Sequence, residues 1–265
     1  MQLGGFFELS NEPVSFETRD NIAIIAINRP DRRNAIDERT SPQLRIAVDR
    51  FESDDHLAVG ILRGEGPVFC SGMDLQAFVD GEAEEILFGD GHLGGLVSRA
   101  RTKPVLAAVQ GAAIAGGFEL MLACDLVVST ENCKFGLPEA KRGLVAGAGG
   151  ALRLGEMLPP VLANEILLTG LLFEAPRAYQ LGLVNRLVPE HFLLEAAMSL
   201  ADSIAQNAPL SVRASLALVK AQSEKARNSL WTLNDELLRE LMRSNDALEG
   251  ATAYKAKRRP IWRGD

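Results

Sequence analysis

Apolar Val14, Phe16 and polar-flanked Thr18 alternate along the chain, Asp20-Asn21 interrupts them, and Ile22 to Ile27 follows as a nearly continuous apolar run. Period-two alternation beside a two-residue turn predicts a β-hairpin, which Pro30 ends. From Asp37 to Phe51, the apolar residues Leu44, Val48 and Phe51 recur at helical spacing, and Leu57 to Leu62 then reads as a strand. Pro67 to Gly72 reads as a short strand running into a glycine turn. The polar, Gly-rich passage Gly81 to Gly95 predicts a mobile covering loop with short helical pieces. A second round follows: a strand over Pro104 to Gln110, glycine-rich Gly111 to Gly117, a helix over Phe118 to Ala123 and a strand over Asp125 to Ser129. The recurring order points to an internally repeated architecture. Beyond Gly149 the pattern turns helical, with helices predicted over Pro159 to Leu168, Ala175 to Leu181, Pro189 to Asn207, Pro209 to Lys225 and Leu230 to Asn245. Gly182 to Val188 is the non-helical exception. The fold class is therefore α/β with a helical C-terminal region, and no linker-like composition divides it.

Composition narrows the chemistry. Of 265 residues, 47% are hydrophobic and 24% charged, enough for a sizeable core and a solvated surface. The net charge of -7 gives no global positive field for nucleic acid or an anionic membrane. Cys70, Cys124 and Cys133 are odd in number and lie in apolar contexts, which suits a reducing compartment better than a disulfide framework. There is no CxxC, and His56, His92 and His191 show no metal-helix spacing, so no metal site is expected. The opening residues MQLGGFFELSNEPVSFE lack a basic segment before an apolar one, and Pro104 to Phe118 is short for a membrane span, so a cytoplasmic protein without membrane insertion is expected.

Phosphate-binding and acyl-transfer motifs are missing. Gly147-Ala148-Gly149-Gly150-Ala151-Leu152 has Leu where GxGxxG needs its last glycine, and neither GxxxxGK[ST] nor GxSxG occurs. Two other glycine turns, Phe69-Cys70-Ser71-Gly72-Met73-Asp74 and Ala115-Gly116-Gly117-Phe118-Glu119, each stand between a strand and a helix. Brought together, the backbone N–H groups of Met73 and Gly116 would grip one oxyanion. Two carboxylates accompany them: Glu119 in the apolar run Phe118 to Leu122, and Glu139 after Phe135-Gly136-Leu137-Pro138. Burial raises a carboxyl group toward the range useful for proton transfer. Each also has a purely structural role open to it. A helix N-terminus favours Glu119, and Lys141 or Arg142 could pair with Glu139.

In these residues the chain resembles the enoyl-CoA hydratase/isomerase, or crotonase, family. Asn28-Arg29-Pro30 through Asn34-Ala35-Ile36, the two glycine turns, Ala123-Cys124-Asp125, Phe135 to Glu139 and Gly147 to Gly150 stand in family order, and the match runs on to Lys257-Arg258-Arg259-Pro260. The resemblance implies a crotonase-like spiral of repeated ββα units with a helical C-terminal trimerisation region. It sets a spiral core with an acyl-CoA site over residues 1–195 and, over 196–265, helices completing the site and an oligomer interface. It implies an acyl-CoA thioester substrate, no separate cofactor, and a homotrimer or dimer of trimers. The thioester carbonyl would lie between the N–H groups of Met73 and Gly116. Glutamates at both catalytic positions imply a hydratase, in which Glu139 protonates C2 of a 2-enoyl-CoA and Glu119 orients or activates the water added at C3. Coenzyme A or acyl contacts are implied at Arg29, Ala35, Ser71, Gly72, Asp74, Leu75, Gly117, Pro138 and Lys257, with Arg29 near the phosphates.

The chain departs from the family in places. Gly143-Leu144-Val145 lacks the proline common after the Gly-Leu pair, and Met73 replaces a usual alanine. Leu158-Pro159-Pro160 with Asn164-Glu165 looks like the branch containing carnitinyl-CoA dehydratases. A dehydratase of that kind, an enoyl-CoA isomerase and a non-catalytic crotonase-like oligomer are the alternative readings.

Overall fold

The computed structural model describes residues 12–264, apart from the side chains at 222–226, 228 and 229. Residues 1–11, most of the opening segment in which no leader is expected, lie outside that range. The predicted hairpin is present: β1 (Val14–Arg19) pairs antiparallel with β2 (Ile22–Ile27), and Asp20 takes φ 50° in the turn. All six residues of β2 are buried. A continuous apolar strand of this kind is what a sheet covered on both faces requires. Beyond β2 the sheet continues in parallel through β3 (Val59–Gly64), β4 (Val105–Val109), β6 (Leu126–Thr130) and β9 (Arg186–Val188). A second, small sheet joins β5 (Ala112–Ile114), β7 (Lys134–Gly136) and β8 (Phe173–Glu174).

Alternation along the strands assigns the two faces of the large sheet. Ala23, Ile25, Ile27 and Leu62 enter the main core with Leu44, Val48 and Phe51 of α1 (Thr40–Ser53). Ile22, Val59, Ile61, Leu106 and Val128 meet Leu193, Ala197 and Ala201 of α8 (Leu193–Ala205) on the other face. The chain repeats one unit: a strand of the large sheet, a short extended piece in the second layer, then a helix. β2 leads through Ile36 to α1, and β3 through Cys70 to α2 (Leu75–Val79). β4 leads through β5 to α4 (Gly116–Ala123), and β6 through β7 to α5 (Gly150–Met157). Bridges Ile36↔Met73 and Cys70↔Ala113, followed by the β5–β7 pairing, stitch the second layer together. This is the expected spiral of ββα units. The remaining helices are α3 (Ala83–Phe88), α6 (Pro160–Thr169), α7 (Ala175–Gln180), α9 (Pro209–Met242) and α10 (Asn245–Lys255).

Several elements differ from the sequence reading. Pro67 to Gly72 forms no strand, only the single bridge at Cys70. α1 starts at Thr40, later than Asp37, whose carboxylate accepts from the Thr40 amide at 2.8 Å and hydroxyl at 2.6 Å across the turn that precedes the helix. The two helices expected over 209–245 are one 34-residue helix, with neither Gly nor Pro after Pro209 to stop it. α8 spans the boundary expected at 195/196 and packs on the sheet. Among the described residues, no helix is long and apolar enough to cross a membrane, and no group of three His, Cys, Asp or Glu side chains is placed to hold a metal.

Candidate active site

The second and third units bring the two glycine turns into contact. Gly72 takes φ +94°, and a Cβ there would lie 2.8 Å from the Gly116 nitrogen. A Cβ on Gly116 would meet the Gly72 Cα at 3.2 Å and the Met73 nitrogen at 3.4 Å. The amides of Met73 and Gly116 are thus neighbours. The bridge to Ile36 engages the Gly72 carbonyl and the Asp74 amide, each at 2.8 Å, and passes over the Met73 N–H. Among the described residues neither the Met73 nor the Gly116 amide donates to a protein acceptor. Ala115 enters α4 at φ 55°, ψ -131°, a conformation costly for a residue with a side chain. Its amide is fixed to the Gly136 carbonyl at 2.9 Å. The result is two free N–H groups at the N-terminus of a wholly buried helix, an arrangement suited to a developing negative charge.

Glu119, in the first turn of α4, is 3% exposed, and its Oε1 accepts from the Gly150 amide at 2.8 Å. Gly150 opens α5, and a Cβ there would lie 2.8 Å from that oxygen, so only glycine leaves room for the carboxylate. Glu139 starts the 3-10 turn Glu139–Arg142, and its Oε2 is buried without a hydrogen-bond partner. Burial pushes both carboxyl groups above the ordinary glutamate range, and the charge of Glu139 pushes Glu119 further. Backbone amides, Arg153 beside Glu119 and Arg142 beside Glu139 oppose the rise without cancelling it. Two such acids hold a proton at neutral pH and can exchange it with a bound molecule. No ion pair joins Glu139 to Lys141 or Arg142 among the described residues; the Arg142 guanidinium instead lies 4.6 Å from the centre of the Tyr254 ring.

A cleft of about 390 Å³ unites these groups. Met73, Gly116, Glu119 and Glu139 line it together with Ala35, Ser71, Asp74 and Leu75 from the sequence reading. Gly72 shapes the turn behind them. Gly117 supports α4 from below, where a Cβ would come within 2.1 Å of the Cys70 carbonyl oxygen, and Pro138 caps the turn carrying Glu139. Neither Arg29 nor Lys257 lines the cleft. Arg29 is held by Asp37 at 2.7 Å, Asp74 at 3.4 Å and the Ala35 carbonyl, so it braces the cleft wall from outside, and Lys257 is exposed just past α10. Lining residues outside the sequence-predicted site include Arg32, Arg33, Leu93, Arg142, Leu238 and Tyr254. Leu238 sits on α9, where Asn234 also donates to the Gly147 carbonyl at 2.7 Å.

The model of the enoyl-CoA hydratase/isomerase family matches residues 17–265. Carnitinyl-CoA dehydratase of Proteus mirabilis (strain HI4320) is 40% identical over 260 residues, covering 96% of this chain and 99% of that protein. The same-named protein of Salmonella typhi is 42% identical over 246 residues, covering 91% and 94%. Among solved structures, carnitinyl-CoA hydratase from Mycobacterium avium superposes with a TM-score of 0.91 at 39% identity, covering 97% of this chain and all of that one. Enoyl-CoA hydratase from Mycobacterium tuberculosis H37Rv does so with a TM-score of 0.78 at 44% identity, covering 96% and 100%.

Proposed function

Because the chain belongs to the enoyl-CoA hydratase/isomerase family, we propose that it is a hydro-lyase that adds water reversibly across the double bond of a 2-enoyl-CoA thioester, giving a 3-hydroxyacyl-CoA. The observation that carries this reading is the pair of buried acids facing one cleft, Glu119 tethered to the Gly150 amide and Glu139 with an unpartnered oxygen. The thioester oxygen lies between the Met73 and Gly116 amides, which take up the negative charge that develops as water attacks C3. Glu119 accepts a proton from the water as its oxygen bonds to C3. Glu139 delivers a proton to C2. The pair begins and ends with one proton between them, and the substrate gains the elements of water. Coenzyme A is part of the substrate, and no other cofactor enters this chemistry.

In E119Q and in E139Q, hydration of crotonyl-CoA, followed by loss of the conjugated thioester absorbance and a mass gain of one water, falls by about 100-fold or more while crotonyl-CoA still binds. Wild-type turnover in either variant overturns the assignment for that residue. The dehydratase relatives favour a second reading, in which the same acids run the reaction backwards on carnitinyl-CoA; dehydration of that thioester by the wild-type chain tests it. We also propose a homotrimer or a dimer of trimers. Leu210, Leu218 and Val219 of α9, each 70% or more exposed in a single chain, support it.

A further inference from the structure

We propose that the acyl end of the cleft selects a thioester whose acyl chain carries an anionic substituent, such as a carboxylate, and that Arg142 holds that group. This rests on the reading that the cleft binds an acyl-CoA with its carbonyl at Met73 and Gly116. With C2 and C3 between the two acids, the rest of the acyl chain passes toward the walls that follow Glu139 and come from the C-terminal helices. These are Arg142, Leu144, Val145, Leu238 and Tyr254.

Arg142 lies at the end of the short turn that begins with Glu139. It is half-buried, and its Nε is fully buried with no hydrogen-bond partner. Among the described residues no carboxylate forms an ion pair with it, whereas Arg29, Arg101 and Arg153 are tied to acids or carbonyls. The backbone beneath it is fixed, since α10 passes so close that a Cβ on Gly250 would lie 2.4 Å from the Arg142 carbonyl oxygen. The guanidinium carbon lies over the Tyr254 ring, 4.6 Å from its centre. An aromatic ring accepts no N–H bond in the plane of the guanidinium as a carboxylate does, and a carboxylate matches two of its N–H groups with parallel hydrogen bonds. Apolar Leu144, Val145 and Leu238 share this wall, so the contact would form partly out of water, where it is strongest. Arg142 acts on Glu139, which is the protonated member of the pair before hydration, so the guanidinium faces no ionised carboxylate there until a substrate supplies one. A quaternary ammonium placed here meets repulsion instead, so selection by Arg142 sets this chain apart from the carnitinyl reading.

Calorimetric titration of the full chain with three saturated thioesters tests the proposal: glutaryl-CoA, butyryl-CoA and γ-trimethylammoniobutyryl-CoA. Glutaryl-CoA is expected to bind about tenfold more tightly than butyryl-CoA, and the cationic thioester more weakly than either. In R142M the ratio between the first two falls to about one, and R142K retains part of it. Equal wild-type affinities, tighter binding of the cationic thioester, or an equal loss for all three in R142M would overturn the proposal. Binding is read without turnover, so a failure of selectivity is seen separately from a failure to hydrate crotonyl-CoA.

Discussion

At the scale of single residues, the burial of Glu119 and Glu139 ties the chemistry to stability. Both carboxyl groups hold their protons more tightly folded than unfolded, Glu119 up to about 8 and Glu139 up to about 7, because ionising them places charge in a dry site. An acid raised on folding stabilises the fold fully below its unfolded value near 4.5 and loses that contribution as pH rises through the folded value. Between pH 5 and pH 8 the wild-type urea midpoint is therefore expected to fall by more than that of the E119Q/E139Q double variant, with other ionisable groups common to both. Parallel pH profiles would contradict the burial argument. Both acids were legible in the sequence because a glutamate inside Phe118 to Leu122, or after Phe135 to Pro138, is chemically out of place. Arg142 was not. From sequence it reads, with Lys141, only as a candidate ion-pair partner for Glu139, and what distinguishes it is Tyr254, brought against it from the far end of the chain.

At the scale of elements, the turn that presents the Met73 and Gly116 amides depends on how closely α4 approaches the turn below it. Gly117 has no room for a side chain, with the Cys70 carbonyl oxygen 2.1 Å from where a Cβ would stand and the Cys70 Cβ at 2.9 Å. Backbone cannot swing aside as a side-chain tip can. G117A is expected to cost about 1–3 kcal/mol in urea unfolding and to weaken thioester binding as α4 lifts; wild-type stability and binding together would show that the turn tolerates the methyl group. The same closeness explains what could be read from sequence. β2 and β4 are wholly apolar runs with distinct ends, β6 opens on Leu126-Val127-Val128, and the hairpin carries its own turn signal. β7 and β8 have three and two residues, too few to show a period, and they exist only because β5 is there to pair with β7. The polar stretch near residue 226 looks like a break between helices, yet nothing there stops the backbone hydrogen bonds of α9.

At the scale of the whole molecule, exposed apolar side chains gather on the C-terminal helices and on α6. Leu210 is 80% exposed, Leu218 74%, Val161 75% and Leu168 76%, on a chain whose net charge of -7 would otherwise keep copies apart. Light scattering is expected to return three or six times the 28.6 kDa chain mass, and L210E/L218E to return a smaller species. A monodisperse wild-type monomer would remove the trimer from the reading. One further consequence belongs to biosynthesis. Asn234 and Leu238 close the cleft against Gly147, 87 residues earlier for Asn234, and Tyr254 arrives later still. A growing chain on the ribosome can pair the strands of the large sheet through β6 before α9 is made, but it cannot finish the pocket. Both acids and both amides are then in place with one wall open to water, so nascent and prematurely terminated chains would carry these four groups without a closed cleft around them.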